Sequence, residues 1–134
     1  MIRDLLRHRL AHVGRRVLIV DDEPYIGRIL SYKLRREGYA TFEAPSAEAA
    51  ETLLAERDVD LVLLDVALAT PTNGFDLAAR LRRNAKTQHL PIIMLTARGF
   101  ASDVLRGREV GAAGYITKPF TADEVVRRVK AFLG

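Results

Sequence analysis

The chain has 134 residues, 49% of them hydrophobic, which suits one domain with a real core. It holds no cysteine, so disulfides, cysteine–metal sites and thiol chemistry are excluded, and no apolar run approaches membrane-spanning length. The net charge of +4 sits entirely in residues 1–16, with five arginines against one acid; the remainder carries sixteen basic and sixteen acidic residues. A basic end segment without a helix-turn-helix, zinc or basic-zipper pattern is not the clustered footprint of a nucleic-acid-binding face. No direct nucleic-acid contact and no membrane partner are expected. Charges at positions 3, 4, 7 and 9 interrupt any secretory core, which makes a cytoplasmic location the expectation.

Residues 1–15 form a separate basic extension ahead of a domain spanning 16–134. Ile2, Leu5, Leu6, Leu10 and Val13 have the spacing of an amphipathic helix, although so short a segment also reads as a frayed arm. Arg16 to Asp21 is a short apolar strand. Pro24 sits at a helix start, Ile26, Ile29, Leu30 and Leu34 make one apolar face, and Gly38 ends the helix. Tyr39 to Ala44 alternates as a second strand. Ser46 caps a helix that runs to about Arg57. Val59 to Asp65 is a short apolar run rich in β-branched and aliphatic types, the pattern of a strand buried on both faces. A loop from Val66 to Asn73 leads to a helix from Gly74 to about Asn84. Leu90 to Thr96 is a fourth strand, followed by a helix over 102–110 and a glycine-rich break. Tyr115 to Thr117 is a fifth strand, Lys118-Pro119-Phe120 a turn, and Thr121-Ala-Asp-Glu124 a capping box. Val125, Val126, Val129, Phe132 and Leu133 complete the last helix. Strands alternating with helices define βαβ units, hence an α/β fold with a parallel sheet and helices on both faces.

Function is written at the strand ends. In an open parallel sheet the carboxyl ends of the strands face one crevice. Asp21 and Asp22 end the first strand, Asp65 the third and Thr96 the fourth, while Lys118 follows the fifth. Three carboxylates in one crevice repel one another unless a hard cation lies among them, and magnesium suits a few carboxylates, waters and a phosphate oxygen. Lys118, carried by a Lys-Pro peptide that is permitted to be cis, would neutralise another phosphoryl oxygen. The expected cofactor is Mg2+.

Val-Asp21-Asp22-Glu, Leu-Leu-Asp65, Leu-Thr96-Ala and Gly-Tyr115-Ile-Thr-Lys118-Pro119-Phe together resemble the receiver domain of two-component response regulators, from Arg16 to the end of the chain. The resemblance implies a flavodoxin-like, doubly wound five-stranded sheet of order 2-1-3-4-5 with five helices. It implies that Asp65 accepts a phosphoryl group from a sensor histidine kinase or a phosphotransfer protein. Asp22, Asp65 and the Ala67 carbonyl would bind magnesium directly, with Asp21 assisting through water. Thr96 and Lys118 would hold the phosphoryl oxygens, and Tyr115 would be the aromatic switch. A downstream target or a second copy would use the face over 102–133. Such a domain is not an enzyme beyond its own phosphorylation from small donors and its own dephosphorylation. Ala67 and Arg98 would flank the water that hydrolyses the acyl phosphate.

The segment after Asp65 departs from the family pattern. Leu68-Ala69-Thr70-Pro71 makes a loop one residue longer, which bears on the Ala67 carbonyl and on kinase docking. The competing enzyme reading is an aspartyl-phosphate hydrolase of the haloacid dehalogenase type. It requires a second Asp where Ala67 stands. A flavodoxin would need a hydroxyl- and glycine-rich loop after the first strand, where Asp22-Glu23-Pro24 would repel a phosphate.

Overall fold

The computed structural model describes residues 14–68, 72–96 and 101–134, with side chains in the last stretch from 105 onward. Residues 1–13 of the basic extension, the loop residues 69–71 and Arg98 lie outside the described residues. Ten elements alternate: β1 Arg16–Val20, α1 Pro24–Arg36, β2 Ala40–Ala44, α2 Ala47–Glu56, β3 Leu61–Asp65, α3 Gly74–Arg83, β4 Ile92–Thr96, α4 Ala101–Glu109, β5 Gly114–Thr117 and α5 Ala122–Leu133. All pairings are parallel and the order is β2-β1-β3-β4-β5, as the resemblance implied.

The central strands explain this order. Every residue of β3 and β4 is buried, and four of the five in β1 are. A strand apolar on both sides needs cover on both faces, which right-handed crossovers supply. Val17, Ile19, Leu61, Leu63, Ile93 and Leu95 face α1 and α5. Leu18, Val20, Val62, Leu64, Ile92 and Met94 face α2 and α3. Local caps fix where helices begin. The Ser46 hydroxyl accepts from Ala49 N at 3.1 Å, Asn73 Oδ1 accepts from Asp76 N at 2.9 Å, and Thr121 Oγ1 accepts from Glu124 N at 3.1 Å. Gly38, at φ +98°, takes the left-handed conformation that turns α1 into β2.

Two apolar residues assigned to helix faces point elsewhere. Ile29 is 51% exposed and Phe132 43% exposed. In α1 the sheet-facing stripe is Gly27, Leu30, Ser31 and Leu34. Ile29, one residue before Leu30, falls about 100° around the helix from it. The strands also pair later than their apolar patterns begin. Tyr39, Val59 and Leu90 are buried lead-ins that precede the ladders.

Candidate functional site

The β1–β3 register sets Val20 opposite Leu64, so Asp21, next after Val20, falls level with Asp65. Asp21, Asp22 and Asp65 each offer an oxygen, and these oxygens lie within 4.8 Å of one another. Asp21 is 6% exposed, Asp65 2% and Thr96 3%. Lys118 directly follows β5, the Lys118-Pro119 bond after it is cis, and its backbone N–H donates to Thr96 O at 2.6 Å. Its ammonium lies 3.3 Å from Asp21 Oδ2 and 3.4 Å from Asp65 Oδ1. Backbone amides complete the set: Glu23 N donates to Asp21 Oδ1 at 2.9 Å and Ala67 N to Asp65 Oδ1 at 3.0 Å.

Two of the three carboxylates, Asp21 and Asp65, are buried beside one ammonium, with Asp22 half-buried next to them. Burial, reduced by the Glu23 amide and by Lys118, raises the Asp21 pKa. Burial and the Asp21 charge together raise that of Asp65. Burial alone would lower the Lys118 pKa, but the charges of Asp65 and Asp21 outweigh it and hold the ammonium protonated beyond its ordinary range. The two acid shifts come first from burial, and the lysine shift from the negative charge around it. All-oxygen donors in a crowded anionic pocket match the preference of a hard divalent cation.

The loop after Asp65 is anchored despite its extra residue. Gly74 N donates to Val66 O at 3.0 Å, and Leu68 and Thr72 are buried. A Cβ at Gly74 would reach the Asp65 carbonyl oxygen and lie 2.8 Å from Val66 Cα, so the close approach requires glycine. The lengthened loop keeps both of its ends, and the Ala67 amide stays on Asp65.

The sequence-predicted residues divide into two groups. Asp21, Asp22, Asp65 and Lys118 converge, with Thr96 at the neighbouring strand end. Ala67 is exposed, and Pro119 lines an adjoining groove of about 390 Å3 with Tyr25, Ile29 and Phe120. Tyr115 stands apart, half-buried against α4. Burial raises its pKa, with Arg108 opposing. Gly107 makes room for that ring, since a Cβ there would lie 2.5 Å from Tyr115 Cζ. Neither Gly74 nor Gly107 was assigned a role from sequence. For Gly107 a signal existed: glycine inside a helix costs about 1 kcal/mol relative to alanine, which calls for a packing reason.

A doubly wound parallel domain with paired acids after β1, an acid closing β3, a hydroxyl closing β4 and a lysine after β5 defines a class, the receiver domain of two-component signalling. The family model described as "Response regulator receiver domain" matches residues 17–130, and the chain belongs to that family. It is similar to the phosphate regulon transcriptional regulatory protein PhoB of Pseudomonas aeruginosa, 46% identical over 90% of this chain and 52% of the relative. It is also similar to the DNA-binding dual master transcriptional regulator RpaA of a Synechocystis strain, 38% identical over 88% and 48%. Among solved structures, the chemotaxis protein CheY4 of Vibrio cholerae superposes with a TM-score of 0.85 at 26% identity, over 90% of this chain and all of that one. A putative response regulator from Chloroflexus aurantiacus gives 0.83 at 38%, over 90% and 98%. The chain spans about half the length of the curated relatives it matches. Two of those relatives are named for transcriptional regulation and DNA binding, which gives no support to extending the absence of nucleic-acid contact to a longer protein. Family membership likewise gives the haloacid dehalogenase reading no support. Among the described residues no helix is long and apolar enough to cross a membrane.

Proposed function

We propose that Asp65 accepts a phosphoryl group from a sensor histidine kinase or phosphotransfer protein, and that the modification switches a binding surface on α4, β5 and α5. The observation carrying this reading is the Asp65 carboxylate, buried at the end of the central strand with the Lys118 ammonium 3.4 Å away and two further acids beside it. A carboxylate is a weak nucleophile, so the protein's task is to position the donor and neutralise charge. An Asp65 oxygen attacks phosphorus as the bond to the donor nitrogen breaks. Asp22, Asp65 and the Ala67 carbonyl would hold magnesium, with Asp21 assisting through water, and the ion would supply positive charge to the phosphoryl group. Lys118 moves from pairing two carboxylates to holding a phosphoryl oxygen, and Thr96 holds another.

The attached group adds about two negative charges at a buried position. Thr96 turns toward it, and Tyr115, seated at Gly107 in α4, follows the space that Thr96 leaves. Residues 16–134 form this receiver, 1–15 a basic extension, and the expected setting is the cytoplasm. Two relatives are named as transcriptional regulators, which supports an output that belongs to a partner or to a further domain.

Two experiments test this reading. In calorimetric titration, Asp22→Ala is expected to lose magnesium binding, and wild-type binding in that variant would misplace the metal. In amide spectra, phosphorylation is expected to shift the region around Tyr115 in the wild type but not in Lys118→Ala. Matching shifts in both would remove Lys118 from the switch.

A further inference from the structure

We propose that the edge of the sheet at β2, together with the outer face of α1, docks an acidic, extended segment of a partner protein as an added strand. This site lies away from the phosphoacceptor and does not depend on its assignment. Among the described residues β2 pairs only with β1. Ala40 N donates to Arg15 O at 2.8 Å, and Ala44 O accepts from Asp21 N at 3.1 Å. Backbone groups alternate direction along a strand, so Thr41 and Glu43 turn their N–H and C=O away from the sheet. Such an edge is a ready template for another strand.

The side chains of Thr41 and Glu43 point toward α1. There a groove of about 480 Å3 is lined by Arg28, Ser31, Tyr32, Arg35, Arg36 and Glu43. It holds three guanidiniums against one carboxylate. Among the described residues none of the three arginines has a carboxylate within 4.0 Å. Two are instead oriented by neutral oxygens. Arg35 Nε donates to Thr41 Oγ1 at 2.8 Å, a hydroxyl already held by the buried Ser31 at 2.8 Å. Arg36 donates to Tyr32 Oη at 3.2 Å and lies 5.7 Å from that ring's centre. Glu43 does not cancel them, because its carboxylate lies against Gly27.

Guanidiniums positioned by neutral acceptors keep donors free for an anion, and their planar fork matches a carboxylate. In an added strand every second side chain would project over α1. Acidic residues at those positions would meet Arg28, Arg35 and Arg36 in turn. The open groove and the unpaired edge backbone together favour an extended peptide over a compact ligand.

The test uses the full chain and a short peptide alternating Glu and Val. Binding is expected to weaken with salt, to fall by about tenfold or more in Arg28→Glu/Arg36→Glu, and to be absent for the Lys/Val peptide. Thr41 and Glu43 amides are expected to gain hydrogen-exchange protection in the complex, which charge attraction alone does not produce. Glu43→Pro removes an outward N–H without touching the β1 ladder and is expected to weaken binding while the far-ultraviolet circular dichroism stays native. Binding that survives the double arginine variant overturns the proposal. Binding without protection at Thr41 and Glu43, or capture of pyrophosphate but not of the peptide, also overturns it, leaving a small-anion site.

Discussion

The two ends of one sheet use the same residue types to opposite purpose. At the amino end Asp60 Oδ2 accepts from Arg16 N at 2.7 Å, with Arg15 at 3.8 Å, and Lys86 lies 3.9 Å from Asp58. Those acidic side chains are 36% and 88% exposed. At the carboxyl end Lys118, Asp21 and Asp65 make ion pairs of 3.3 and 3.4 Å with side-chain exposures of 18%, 0% and 3%. Exposed pairs contribute about 0–1 kcal/mol because water screens them. A buried set with surplus negative charge is a net cost, since desolvation exceeds what one ammonium returns. The amino end is a solvated rim that orients strands. The carboxyl end carries an electrostatic cost that added positive charge would reduce.

The largest effect on stability should come from breaking the buried set. Lys118→Ala leaves two buried carboxylates unpaired, and in metal-free protein it is expected to cost about 3 kcal/mol in urea unfolding. Magnesium should recover part of that loss. A variant as stable as wild type without metal would mean that the cluster is better solvated than its burial indicates. Gly74→Ala comes next. Its Cβ would press on the Asp65 carbonyl and the Val66 backbone, for about 1–3 kcal/mol, and should also weaken magnesium binding by displacing the loop.

The pH dependence separates the two ends further. Asp21 and Asp65 titrate above the ordinary carboxylate value of 3.8, chiefly through burial. Between that value and their raised ones the folded chain binds more protons than the unfolded chain, so their contribution to stability falls as pH rises. Above their folded values the penalty is fully present. Metal-free Asp65→Asn is therefore expected to be more stable than wild type near neutral pH, the difference shrinking as pH falls toward 3.8. A constant difference across that range would contradict the assigned cause. The smallest effects belong to the rim: Asp58→Asn and Lys86→Ala should each change stability by less than about 1 kcal/mol.

The carboxyl end was also the more legible in sequence. A carboxylate closing a run such as Leu61–Asp65 is conspicuous because such strands rarely tolerate charge, and topology carries all strand ends to one crevice. The order of the strands came from the resemblance, since βαβ periodicity alone fixes parallel pairing but not sequence of neighbours. Helix faces were read less well at Ile29 and Phe132, where apolar residues flank the stripe without joining it. Burial of a helix residue depends on what packs across from it, which local periodicity does not contain. A glycine inside a helix signalled a packing reason at Gly107, but the partners of Gly74 and Gly107, Asp65 and Tyr115, were illegible because tertiary packing sets them.

The central claim is that the buried carboxyl end, and Asp65 within it, is the phosphoacceptor. Intact mass after incubation with acetyl phosphate tests it most directly, on wild type, Asp65→Asn and Asp58→Asn/Asp60→Asn, each with and without magnesium. The wild type and the double rim variant are expected to gain one phosphoryl group only when magnesium is present, and Asp65→Asn none. A phosphoryl group retained by Asp65→Asn, or lost from the rim variant, would contradict the account.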